Sequence, residues 1–169
     1  MNAHFSMMAE YNAWANARLY GMARQLSDEQ FRRDVGVYFK SMHGTLNHIL
    51  VGDLIWMWRL TGVGEHPPKL NTVICDDLEG LWAVRSREDQ RIIDYVKGLS
   101  EAQLEEFWDY RTLDGTPQRQ RRRETLAHFF NHQTHHRGQA HAILTILGVT
   151  EPDSLDLLQM QRQRAATVR

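Results

Sequence analysis

The segment NHQTHHRGQAH, residues 131–141, places His132 and His136 four residues apart in a stretch that reads as helix. Four residues is a little over one helical turn, so both imidazoles leave one face and converge on one point. Two neutral imidazoles aimed at one point are part of a metal site. Six of the nine histidines fall in two short segments, at His43 and His48 and at His128, His132, His135 and His136. His48, within GTLNHILVGD, supplies a third imidazole if it faces the interior. Three nitrogen ligands leave at least one coordination position open, the pattern of a catalytic metal rather than a structural one. Such a metal lowers the pKa of a bound water or thiol, or polarises a carbonyl. A buried helical His is more often simply hydrogen-bonded, and His128, His132 and His136 form one i, i+4, i+8 row. Spacing therefore does not choose between His132–His136 and His128–His132.

Four helices must position these residues. Apolar spacing predicts them over about 4–25, 42–60, 76–99 and 123–147. Asp76 or Asp77 suits the third as N-cap, and Gly148, with Pro152 beyond it, suits the end of the fourth. LSDEQF (26–31) and LSEAQL (99–104) each carry a Ser with Gln three residues on, a capping box for a short helix. TGVGEHPPKLNTV (61–73) is a Gly- and Pro-rich crossover, and the Asp-Gly pair at 114–115 predicts a hairpin within 107–119. GTLNHI (44–49) and ETLAHF (124–129) hint at two similar helix pairs. The expected fold is all-α, a four-helix bundle with a long crossover between helices two and three and a small hairpin before helix four. The 169 residues suit one domain, 1–169.

A net charge of -1 gives no global field toward nucleic acid or anionic membrane. No window is apolar enough to span a membrane, and the N-terminus lacks a signal-peptide pattern. A lone cysteine, Cys75, fits a reducing cytoplasm. RQRRR at 119–123 is either a solvated run paired with nearby acids or an anion grip, and it is too short for a nucleic-acid groove. Asp53 and Arg59 on the second helix, and Arg137 and Gln139 on the fourth, are candidate outer partners. Asp53 is expected to accept from a ligating His or to pair with Arg137. Trp56 and Trp58 cannot share a helix face, so one of them lines a pocket or meets a partner subunit.

The chain resembles the DinB/YfiT-like superfamily of metal-dependent enzymes over almost its full length. YNAWANARL (11–19), GTLNHILVGDLIWMWRLTG (44–62), YRTLDGTP (110–117) and LAHFFNHQTHHRGQAHAIL (126–144) carry the likeness. The last is the most specific, with a His, three residues, then His-Arg-Gly-Gln. The resemblance implies that His48, His132 and His136 hold one divalent metal, such as Zn, Ni or Fe, and leaves His128 and His135 outside the triad. It also implies a homodimer acting on a small-molecule substrate, as a transferase or isomerase using a low-molecular-weight thiol; a hydrolase using metal-bound water would need the same three ligands. The competing expectation is a non-enzymatic, stress-linked dimeric binding module with a structural or vestigial site. Glu-x-x-His pairs for a ferritin-type centre and the HExxH pattern are both absent.

Overall fold

Helices form where the apolar spacing places them. A computed structural model describes residues 1–167 as α1 (Asn2–Ala23), α2 (Asp28–Arg32), α3 (Met42–Thr61), α4 (Leu78–Lys97), α5 (Glu101–Glu105), β1 (Phe107–Arg111), β2 (Pro117–Arg121), α6 (Arg122–Ile146) and α7 (Leu157–Thr167). Ser41 caps α3 by accepting from the Gly44 N–H at 3.1 Å, and Asp77 caps α4 by accepting from Gly80 at 2.7 Å. Both predicted capping boxes form, Ser27 with Gln30 and Ser100 with Gln103. Past α6, Gly148 adopts φ +93°, and the Gly148 and Val149 amides donate to Thr145 and Leu144. That pair of bonds is a Schellman closure, which glycine permits at little steric cost. The hairpin pairs Phe107 with Arg121 through Arg111 with Pro117, so its second strand runs two residues further than expected, straight into α6. Helix α7 was not anticipated; its residues are mostly polar and only Met160 is buried.

The order of core clusters along each helix fixes the packing. One apolar cluster contains Leu19, Met42, Leu46, Leu50, Leu81, Ile143 and Leu144; the other contains Phe5, Met57, Ile92, Val96, Leu126 and Phe129. Helices α3 and α4 run from the first cluster to the second, and α1 and α6 run the opposite way. Parallel neighbours of 20 residues need a connection that returns about 30 Å, and residues 62–77 provide it. Helix α1 packs on α4 and α6, and α3 packs on the same two. The chain is thus mostly helical with one small hairpin. No described helix is long and apolar enough to cross a membrane.

Candidate metal centre

His48, in the second turn of α3, is fixed on several sides. Its Nδ1 lies 3.0 Å from the Leu70 carbonyl oxygen in the crossover. A carbonyl only accepts, so Nδ1 carries the proton and Nε2 presents a lone pair. Phe39 stacks on the ring, with centroids 3.7 Å apart and planes 16° from parallel. Glycine at 44 permits this approach, because a Cβ there would collide with the Phe39 carbonyl.

The other two imidazoles come from α6. His136 places Nδ1 2.7 Å from Gln139 Oε1. With the amide oxygen accepting, the His136 Nε2 is also left with its lone pair. The two Nε2 atoms face each other at 3.1 Å. The His132 ring lies 4.4 Å from that of His136 and 5.3 Å from that of His48. Gly52 opposite leaves it room, since a Cβ on residue 52 would stand 2.9 Å from His132 Cε1. One nitrogen from each ring lies within 4.8 Å of the other two. Among the described residues, no carboxylate or thiol joins this group.

The donor set suits a divalent cation. Nitrogens bound at about 2.0–2.1 Å to a tetrahedral metal stand roughly 3.3 Å apart, close to the 3.1 Å between His48 and His136. Burial pushes His48 down to about 4, with the Leu70 carbonyl opposing and His136 adding to the shift. Burial and then the neighbouring imidazoles push His132 down to about 3. His136 shifts the same way through burial, against its bond to Gln139. All three are therefore neutral at pH 7, the form that ligates metals. Beside Phe39 and Leu70 opens a cavity of ≈ 560 Å³ that also touches Lys40, Asn47 and Asn71.

The remaining histidines lie outside the cluster. His128 packs against Trp56 at 5.3 Å, with its ring 6.0 Å from that of His132. His135 is exposed beside His136. His43 bonds the Cys75 carbonyl at 3.1 Å. The hinted repeat would equate His48 with His128, yet it is His132 and His136 that converge on His48.

Behind the triad, a buried polar layer joins all four long helices. Asp53 accepts from Arg85 and from Gln133. Arg85 reaches Asp89 at 2.9 Å. Asp89 accepts from Asn12 at 3.1 Å and from Asn16 at 2.9 Å. Arg137 closes the ring by donating to Asn12 and to Gln133. Burial works against the Arg85 charge, but Asp89 and Asp53 outweigh it and hold the guanidinium charged. Burial pushes Asp53 up to about 6, with Arg85 opposing. The expected pairing of Asp53 with Arg137 or with a ligating His is corrected: Asp53 points toward α4, where Arg85 satisfies it. Gln139, by contrast, does touch a triad imidazole. The basic run pairs locally: Arg121 and Arg123 with Glu105, Arg122 with Glu106 and Arg119 with Asp109.

Residue typing alone missed Phe39, Gly52 and the Leu70 carbonyl. Glycine costs about 1 kcal/mol against alanine inside a helix. Gly44 and Gly52 within α3 were therefore the available signal that something approaches closely.

The DinB family model matches residues 1–165. Protein DinB of Bacillus subtilis (strain 168) is 25% identical over 148 residues, covering 82% of this chain and 83% of that protein. A crystal structure of a DinB-like protein from Bacillus cereus ATCC 10987 shares the fold with a TM-score of 0.63 at 19% identity, covering 86% of this chain and 91% of that one. Matched almost from end to end by the family model, this chain belongs to the DinB family.

Proposed function

We propose that His48, His132 and His136 hold one divalent metal ion with a coordination position left open to solvent or substrate. One observation carries the reading. His48 and His136 each spend Nδ1 on an outside acceptor and turn bare Nε2 lone pairs on each other at 3.1 Å. Two lone pairs at that separation repel unless a cation lies between them. Leu70 and Gln139 set the tautomers, as outer partners of metal-bound imidazoles do.

The metal, when bound, supplies Lewis acidity that makes a thiol or a water a nucleophile at neutral pH. The chain's own residues do the rest. Phe39 shields one face of His48, and Gln139 orients His136. Among the described residues no carboxylate joins the three-His group, and a metal-bound nucleophile reduces the need for a separate base, which supports a metal-dependent transferase using a low-molecular-weight thiol, or a hydrolase. Cyclic packing of α1, α4, α3 and α6 supports the arrangement of a four-helix bundle. Exposed Trp58, beside His66, supports a homodimer, which light scattering on the purified protein tests. The lone Cys75 supports a cytoplasmic setting.

Metal content tests the site. Purified wild-type protein is expected to carry one equivalent of metal, and His136→Ala far less. Equal metal in both would remove the assignment.

A further inference from the structure

Arg59 is a guanidinium without a counter-charge. It is half-buried near the end of α3, and among the described residues it has neither a hydrogen bond nor an ion pair; its Nε is fully shielded and unpartnered. Among the described residues no carboxylate stands near enough to act on it. The other shielded arginines differ. Arg85 has Asp53 and Asp89, Arg91 has Glu88, and the cations of 119–123 all reach acids. Arg137, which has no direct acid and also leaves its Nε unpartnered, donates through its other nitrogens to Asn12, Gln133 and Thr134, whereas Arg59 donates to none.

The surroundings hold the group in place without neutralising it. Its guanidinium carbon lies 4.6 Å from the centre of the Trp56 ring and 5.5 Å from that of Tyr110. Tyr110 is itself braced, stacked on Trp108 and donating to Gln120 at 2.8 Å. Aromatic faces fix a guanidinium while leaving its N–H edge free.

Its position relates it to the histidines. His48, Gly52, Trp56 and Arg59 follow one another along one side of α3 at helical spacing. Gly52 faces His132 and Trp56 faces His128, so this row and the α6 histidines run side by side. Gly52, level with the triad, is seven residues from Arg59, about 10 Å along the helix axis.

We infer that Arg59 is the anchor for a carboxylate on the molecule that works at the His48–His132–His136 centre. The inference rests on the metal-site reading only for what happens at the other end of that molecule. One planar guanidinium matches one carboxylate in a bidentate pair. A phosphate dianion would call for a second cation beside the guanidinium. The reacting group and the carboxylate of the ligand are then separated by about 10 Å or somewhat less, because the arginine side chain leans back toward the helix N-terminus.

Two titrations test this. In metal-free protein, the Arg59 Nε–H resonance, identified by its loss in Arg59→Gln, is followed as hexanoate, hexanol or inorganic phosphate is added. Arg59→Lys also removes the resonance and serves if the glutamine variant does not fold. Hexanoate is expected to shift the resonance saturably, and hexanol and phosphate not to. No shift with hexanoate, or an equal shift with phosphate, overturns the carboxylate anchor. In Co²⁺-loaded protein, the thiolate-to-cobalt absorption band then reads binding of 6-mercaptohexanoate against 6-mercaptohexanol. The acid is expected to bind about tenfold tighter or more, an advantage that Arg59→Gln abolishes. Equal binding of the two thiols to the wild type counts against Arg59, while the metal site stands. Failure to take up cobalt counts against the metal site, and the hexanoate titration then decides Arg59 alone.

Discussion

Replacing Gly52 by alanine should separate metal binding from stability. The added Cβ would stand 2.9 Å from His132 Cε1 and 3.4 Å from Nδ1. Carbon atoms rest in contact at about 3.5–4.0 Å, so the imidazole must retreat by roughly 0.6–1 Å. A metal–ligand distance tolerates only about 0.2 Å. His132 then either leaves the metal or drags the cluster out of shape, and affinity should fall by about 100-fold or more, beyond the usual loss from an outer-shell change. Gly52 lies mid-helix with negative φ, so alanine should stabilise the metal-free protein by up to about 1 kcal/mol, less the cost of moving the ring. Competition against a chelator of known affinity measures the first effect, and urea unfolding of the metal-free protein measures the second. Wild-type affinity in Gly52→Ala would refute the reasoning, because His132 could not then be a ligand in this geometry.

Other perturbations act on different layers of the structure. Asp53→Leu leaves Arg85 with one buried carboxylate instead of two, and urea unfolding should show a loss of about 3–5 kcal/mol. Gln139→Ala frees the His136 Nδ1, so chelator competition should show metal affinity about 10–100-fold lower with stability little changed. Metal present at 100 times its dissociation constant should stabilise the wild type by about 2.7 kcal/mol in denaturant unfolding, and His48→Ala should lose most of that gain.

The long helices were legible because their apolar residues recur at helical spacing and their ends carry side chains that cap: Asp77, Ser27, Ser100 and Gly148 all act where their types suggest. Helix α7 was not legible, because only Met160 of its residues is buried. At the site, the spacing of His132 and His136 is local and reads directly from the chain. Their convergence with His48 depends on how α3 and α6 pack, which spacing does not encode; family resemblance supplied it. Partners from irregular segments, such as Phe39 and the Leu70 carbonyl, leave no periodic trace. Asp53 was misassigned because several buried partners were compatible with its position on α3, and only packing brings Arg85 rather than Arg137 to its carboxylate.

X-ray absorption at the metal edge of the loaded protein tests the central claim most directly. Three imidazole nitrogens at about 2.0–2.1 Å and one solvent oxygen are expected, with a sulfur at about 2.3 Å replacing the oxygen when a low-molecular-weight thiol is added. A fourth protein ligand that thiol does not displace, or scattering from fewer than three imidazoles, would contradict an open site built on His48, His132 and His136.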